Sequence, residues 1–314
     1  MAVLAAMLPA AKAAEGEPPA ARELLADMAA AYQQHSFSGR FIYMRAGRVS
    51  TLALERAVID GEVYERVSRL QGPAHEVIRN NGRTVSVHPD DSSTLLSSSD
   101  GIASFRFNDR KDIPEQYAAR LGGAGRVAGR PAWRLRLEPR DGYRYGYRLW
   151  LDQQSHLVLK SEVLNGRNGA LERVEFLSLN LNPGLERKHF ALPEDAGKAW
   201  SAESEDEDAG PQIEPGWLPE GFAMATRDHH RIQGRTGVLH SATYSDGLAT
   251  FTLFVEPASS AKPDGNLRRK GPTVVLARPL RQARRSFVTT LVGEVPADTA
   301  RRVLKHVSLE TRGD

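Results

Sequence analysis

Along residues 140–152, RDGYRYGYRLWLD, apolar and polar positions alternate. Tyr145, Tyr147, Leu149 and Leu151 fall on one side at period two, and Arg144, Gly146, Arg148, Trp150 and Asp152 on the other. A strand of this kind belongs to a curved sheet that covers a core or a cavity on one face, and Asp141-Gly142 in front of it is a turn signal. The same short-period texture begins at Phe37. Residues 76–79 and 84–88 flank Asn81-Gly82, a strong hairpin signal, and further strands over 126–127, 131–138, 143–152, 157–165 and 171–180 are separated by Gly, Asn or Asp turns. Such spacing predicts an antiparallel meander.

Helical spacing occurs where the alternation stops. Residues 20–32 (AARELLADMAAAY) carry a stripe of Leu24, Leu25, Met28 and Ala31, and residues 114–121 (PEQYAARL) read as a second helix with proline in its first turn, ended by Gly122-Gly123. These two helices would cover one face of the sheet. From Trp217 a smaller unit begins. Asp246-Gly247 marks a hairpin, Phe251, Leu253 and Val255 alternate, residues 287–292 form a strand, and residues 297–307 close the unit as a helix with an Arg/Lys-rich face. About 95 residues suffice for a small α+β domain. Between the two units lies PEDAGKAWSAESEDEDAGPQIEPG, whose five acids within residues 203–208 and few apolar positions cannot bury enough surface to order.

The expected class is therefore α+β. A sheet-dominated unit with helices on one face spans residues 20–193, an acidic flexible linker residues 194–216, and a small α+β domain residues 217–314. The N-terminus, MAVLAAMLPAAKAAEGEPP, reads as a secretory signal peptide over residues 1–13 with an A-x-A pattern before Ala14 and no basic n-region, as a start codon placed too late would leave it. An Ala-rich helix continuing into residues 24–32 is the alternative. No other apolar run approaches the roughly 20 residues of a membrane span, so the mature chain is expected not to span a membrane and, if exported, to be periplasmic or extracellular.

Composition narrows the chemistry. The absence of cysteine excludes disulfides, thiolate zinc sites and cysteine nucleophiles. A net charge of +3 falls far short of a dedicated nucleic-acid binder. Gly122, Gly123, Gly125 and Gly129 nearly spell a dinucleotide fingerprint but stand between a predicted helix and a strand, the reverse of the order that motif needs. His229 and His230 are adjacent and would point to opposite faces of a strand. No spacing picks out a nucleophile with its base, so the chain reads as a non-enzyme with no cofactor and no metal.

Two sets of residues remain as binding candidates on physical grounds. Phe41 and Tyr43 on one strand, with Tyr145, Tyr147 and Leu149 on another, are either packed core or the lining of a concavity for an acyl chain, whose burial contributes about 0.8 kcal/mol per methylene. Arg268, Arg269, Arg281, Arg284 and Arg285 concentrate guanidinium groups suited to carboxylates or phosphates of a partner.

Four blocks, RDGYRYGYRLWLD (140–152), WLPEGF (217–222), YSDGLATFTLFVE (244–256) and TLVGEVPADTARRV (290–303), together resemble the MucB/RseB family of periplasmic regulators of the envelope-stress sigma factor. The first domain also resembles the lipoprotein carriers of the Lol system, which implies an unclosed antiparallel β-barrel covered by helices over residues 20–193, and the family resemblance implies that residues 217–314 are a partner-binding domain. The resemblance implies binding without catalysis: the periplasmic domain of a transmembrane anti-sigma factor as partner, its protection from the site-1 protease, and release when lipopolysaccharide or acyl chains are sensed. The acidic linker departs from the family pattern. A periplasmic lipid or lipoprotein carrier is the alternative, and monomer and homodimer both remain open.

Overall fold

The computed structural model describes residues 20–80, 83–87, 93–95, 115–166, 169–192, 212–231, 238–258, 265–282 and 285–310. The signal segment, Asn81-Gly82, Arg284 and residues 194–211 of the linker fall outside them. Among the described residues the first unit is an eleven-stranded antiparallel sheet of order β6-β5-β4-β3-β2-β1-β11-β10-β9-β8-β7. Its strands are β1 (Phe37–Arg45), β2 (Arg48–Ile59), β3 (Glu62–Arg69), β4 (Glu76–Asn80), β5 (Arg83–Val87), β6 (Ser93–Leu95), β7 (Tyr117–Val127), β8 (Arg130–Pro139), β9 (Gly146–Asp152), β10 (Val158–Leu164) and β11 (Ala170–Leu181). Two meanders join where β1 pairs with β11, and the edges β6 and β7 do not pair with each other, so the barrel is unclosed.

One helix, α1 (Ala21–Gln34), packs on this sheet. Its N-cap, Ala20, offers no side-chain acceptor, so the helix depends on its apolar face. Leu24, Leu25 and Met28 pack among Tyr117, Leu135, Tyr147 and Leu149, whereas Ala31 and Tyr32 pack among Phe37, Phe41, Leu54 and Phe176. At its end Arg56 donates to the Tyr32 carbonyl at 2.5 Å, satisfying one of the acceptors that a last turn leaves open. Gly39 is dictated by this core, because a Cβ there would stand 2.7 Å from the Phe176 ring.

The predicted second helix is a strand. Residues 117–121 belong to β7, paired with β8, and Gly122-Gly123 is a bulge in which two residues oppose Arg134 between the pairs Leu121↔Leu135 and Ala124↔Trp133. Ala, Gln, Arg and Leu favour helix locally, but strand pairing buries Tyr117 completely, and that tertiary gain outweighs a propensity difference of a few tenths of a kcal/mol per residue. Among the described residues the barrel is thus covered by one α-helix and a single 3-10 turn, Arg187–Phe190, whose Phe190 packs with Tyr64 and Ile78.

The turn from β9 into β10 is built on a buried carboxylate. Asp152 accepts two bonds from Arg130, at 3.0 and 2.8 Å, and two from Ser155, at 3.1 and 2.7 Å. Burial alone would raise its pKa, but these bonds outweigh burial and hold the carboxyl below its ordinary value. A depressed folded pKa contributes stability above the unfolded value near 3.9 that is lost as pH falls through the folded one. Asp152→Asn is expected to cost about 2 kcal/mol in urea unfolding at pH 7, and the gap from wild type should close below about pH 4.

The second unit is a six-stranded antiparallel sheet of order β13-β14-β15-β18-β17-β16. It comprises β13 (Ala223–Arg231), β14 (Val238–Ser245), β15 (Thr250–Pro257), β16 (Arg268–Lys270), β17 (Thr273–Gln282) and β18 (Arg285–Gly293). Helix α2 (Ala297–Lys305) lays Ala300, Val303 and Leu304 on its core. The helix ends at Lys305, two residues before the predicted limit, and the chain continues as β19 (Val307–Glu310). This strand pairs with β12 (Gln212–Pro215), which occupies the end of the stretch read as linker. Ile213 and Leu309 are buried in the core, which orders both segments.

Candidate functional site

The site that the fold assembles is the seam between the two sheets. Its centre is Arg144, whose guanidinium is fully buried. Asp141, three residues earlier, turns the chain ahead of β9: its Oδ1 accepts from the Tyr143 amide at 2.9 Å, and its carboxylate takes Arg144 Nε and Nη2 at 2.8–3.2 Å. Across the seam Arg144 Nη1 donates to Asp246 Oδ2 at 2.5 Å and Nη2 to the Glu220 carbonyl at 2.7 Å. Asp246 is itself set by the β14–β15 turn, since its Oδ1 accepts the amides of Leu248 and Ala249, both at 2.8 Å. The rings of Phe222 and Tyr117 stand 5.3 and 5.6 Å from the guanidinium carbon. Burial pulls the Arg144 pKa down, but Asp141 and Asp246 outweigh it and leave it raised, so the cation persists in the dry seam.

Around this centre, Thr299 on α2 donates to the Tyr143 carbonyl at 2.9 Å, Arg302 donates to the Tyr143 hydroxyl, and the Arg302 guanidinium lies 4.0 Å from the Trp217 ring centroid. Tyr143 meets Trp217 edge-on at 5.1 Å. A second contact lies at the end of β1, where Arg45 Nε donates to the Lys270 carbonyl at 3.1 Å and Nη2 to Thr273 Oγ1. Gly271 turns there with φ +61°, and a Cβ would come within 2.7 Å of Arg45 Cγ.

Of the predicted lipid-facing residues, Phe41, Tyr145, Tyr147 and Leu149 are buried in the core beneath α1. Tyr43 is partly buried against the same cluster as Phe41, while its hydroxyl donates to Glu172 at 2.8 Å and accepts from Arg45 at 3.2 Å beside the second contact. Burial, with Glu172 second, raises its pKa. The predicted partner residues divide into two groups. Arg268 and Arg269 lie on the exposed edge strand β16, whereas Arg281 and Arg285 are exposed near the far end of the β17–β18 hairpin, with Arg284 outside the described residues. Arg268 pairs opposite Val275, six residues from Arg281 along β17, so the groups stand about 20 Å apart.

The sequence reading missed the seam itself. Arg144 and Asp246 read as a strand position and a turn residue, and nothing local ties two positions 102 residues apart. One signal was available: all four blocks that carried the resemblance contribute to the seam, with Arg144, Trp217, Asp246 and Arg302 each from a different block.

Fold and seam define a two-domain protein whose halves, a half-barrel and a smaller sheet, are joined by buried charge and aromatic contacts. Residues 20–194 match the MucB/RseB N-terminal domain and residues 207–308 the MucB/RseB C-terminal domain. The chain belongs to the MucB/RseB family. It is 35% identical over 309 residues to the sigma factor AlgU regulatory protein MucB of Pseudomonas aeruginosa, covering 94% of this chain and 92% of the relative. It is 26% identical over 293 residues to the sigma-E factor regulatory protein RseB of Escherichia coli K12, covering 92% and 91%. The crystal structure of MucB in complex with MucA(peri) matches with a TM-score of 0.73 and 32% identity, over 93% of this chain and all of that one. Among the described residues no helix is long and apolar enough to cross a membrane.

Proposed function

We propose that this protein is a periplasmic regulator that holds the periplasmic region of a transmembrane anti-sigma factor, shields it from regulated proteolysis, and lets it go when lipid or lipopolysaccharide binds. The observation that carries the reading is the buried Arg144–Asp246 seam, together with a relative of the same two-domain form solved with MucA(peri). A partner segment that touches both domains gains from their being held in register, because the second contact then forms at high effective concentration. Arg268 and Arg269 at one site, and Arg281, Arg284 and Arg285 at the other, would take acidic side chains of that segment.

The lipid step follows from α1. Phe41, Tyr145, Tyr147 and Leu149 lie in the two apolar clusters that α1 completes, so an acyl chain would enter as the helix leaves, and a ligand that binds only the opened form shifts the population toward it. Coverage of an open sheet by one uncapped helix equally suits a periplasmic lipid or lipoprotein carrier, the second reading. A pull-down of the mature chain with the periplasmic domain of the cognate anti-sigma factor, with and without lipopolysaccharide, separates them. Capture that lipopolysaccharide abolishes is expected. Failure to capture in either condition would refute the regulator and leave the carrier.

A further inference from the structure

A concavity lies on the smaller domain beside α2, with Arg302 at the edge it shares with the seam. Between α2 and β17 lies a cleft of about 700 Å³ floored by Leu276 and Pro279. Arg278 faces it from the strand, and Arg301, Arg302 and Lys305 from the helix, against one carboxylate, Asp298, which already pairs with Arg301 at 2.7 Å. Arg278 and Lys305 have no ion pair among the described residues and are exposed. Cations in the last turn of α2 are partly explained by the helix dipole. That does not explain Arg278, which reaches the same cleft from another element.

We propose that this cleft binds a phosphomonoester and that its occupancy is communicated to the domain seam through Arg302. Arginines converging from two elements match the oxygens of a phosphate by charge-assisted bonds, while the Leu276 and Pro279 floor takes the apolar or sugar body attached to it. Arg302 belongs to both places: it lines the cleft, and it bonds the Tyr143 hydroxyl and stacks on Trp217 at the seam. A phosphate that draws this guanidinium toward itself weakens a contact between the domains. The inference deepens the ligand-release reading by placing the charged end of the ligand, but binding at the cleft does not depend on the anti-sigma factor.

The test uses the full mature chain without partner. Vesicles of phosphatidylcholine doped with phosphatidic acid are titrated while the emission contributed by Trp217, identified by its loss in Trp217→Phe, is followed. Glucosamine 1-phosphate serves as soluble competitor and hexaglutamate as an acidic peptide. Wild type is expected to bind the doped vesicles and not pure phosphatidylcholine, and Arg278→Glu with Lys305→Glu is expected to weaken binding about tenfold at unchanged Tm. Competition by glucosamine 1-phosphate assigns the site to the phosphomonoester itself, and its absence to a phosphomonoester within a bilayer. Arg302→Lys should keep binding within a few fold and lose the Trp217 response. Equal vesicle binding by the double variant, or hexaglutamate bound in preference to phosphate, overturns the site. A Trp217 response retained in Arg302→Lys overturns the coupling. Failure of the ligand-free chain to capture the anti-sigma periplasmic domain in the separate pull-down, with phosphate binding intact, would instead count against the regulator reading alone.

Discussion

Arg144→Met is expected to part the two domains. The substitution leaves Asp246, which is fully buried, facing Asp141 across a seam with no cation between them. Removing one partner of a buried charge pair costs about 3–5 kcal/mol, because the remaining charge loses its compensation without regaining water. That is a large part of the total stability of an ordinary domain. Urea unfolding should show the loss, and small-angle scattering should show a larger radius of gyration with each sheet retaining its circular dichroism. Capture of the anti-sigma periplasmic domain should fall with it. Arg144→Met combined with Asp246→Asn should recover part of the stability, since the uncompensated carboxylate is then removed as well. A single variant with wild-type dimensions and stability would show that the aromatic contacts of Tyr143, Trp217 and Arg302 suffice to join the domains.

The second large effect is expected at α1. Leu24 is fully buried and Met28 nearly so, and truncating either to alanine costs about 2–5 kcal/mol at a packed site. With no side-chain N-cap, the helix is held on the sheet by its apolar face and by the Arg56 bond to the Tyr32 carbonyl at its other end. If the acyl site is the face beneath α1, its apparent affinity is reduced by the fraction of molecules with the helix undocked, and each 1.4 kcal/mol taken from docking should raise that affinity about tenfold until the opened form dominates. Leu24→Ala with Met28→Ala should therefore bind a fluorescent fatty acid at least about tenfold more tightly than wild type while melting at a lower temperature. A lower melting temperature with unchanged fatty-acid affinity would place Phe41, Tyr147 and Leu149 in the core alone and remove them from the lipid site.

The two experiments examine different links of one mechanism. In the proposed mechanism the seam would set how the domains present themselves to a partner, and α1 would set whether the half-barrel has room for a ligand. The two meet in space at Tyr117 and Tyr147. Tyr117 packs against α1 residues on one side and lies 5.6 Å from the Arg144 guanidinium on the other, and the Tyr147 hydroxyl reaches the Leu248 carbonyl across the seam at 3.4 Å. Undocking α1 removes packing from the side chains against which Arg144 is lodged, which gives a contiguous route by which lipid could loosen the seam.

The sequence by itself determined the elements whose pattern is local. The alternation of Tyr147, Leu149 and Leu151 in β9, the hairpin at Asp246-Gly247 and the apolar stripe of α1 all appear where residue spacing places them, because period two and period 3.6 are properties of neighbouring backbone geometry. Tertiary structure alone decided the rest. Residues 117–121 have helix-forming composition and become strand because pairing with β8 buries Tyr117. Residues 212–215 read as the end of a linker and become β12 because β19, nearly a hundred positions later, supplies its hydrogen bonds. Tyr43 shares a face and a core cluster with Phe41, as alternation places it, yet its hydroxyl ends among polar groups, because β11 brings Glu172 beside it and Arg45 lies two residues on. The pairing of Arg144 with Asp246, and the gathering of Arg278, Arg301, Arg302 and Lys305 about one cleft, depend on distances through space between residues far apart in the chain. Periodicity assigns a face to each side chain, but only the folded chain decides what that face meets.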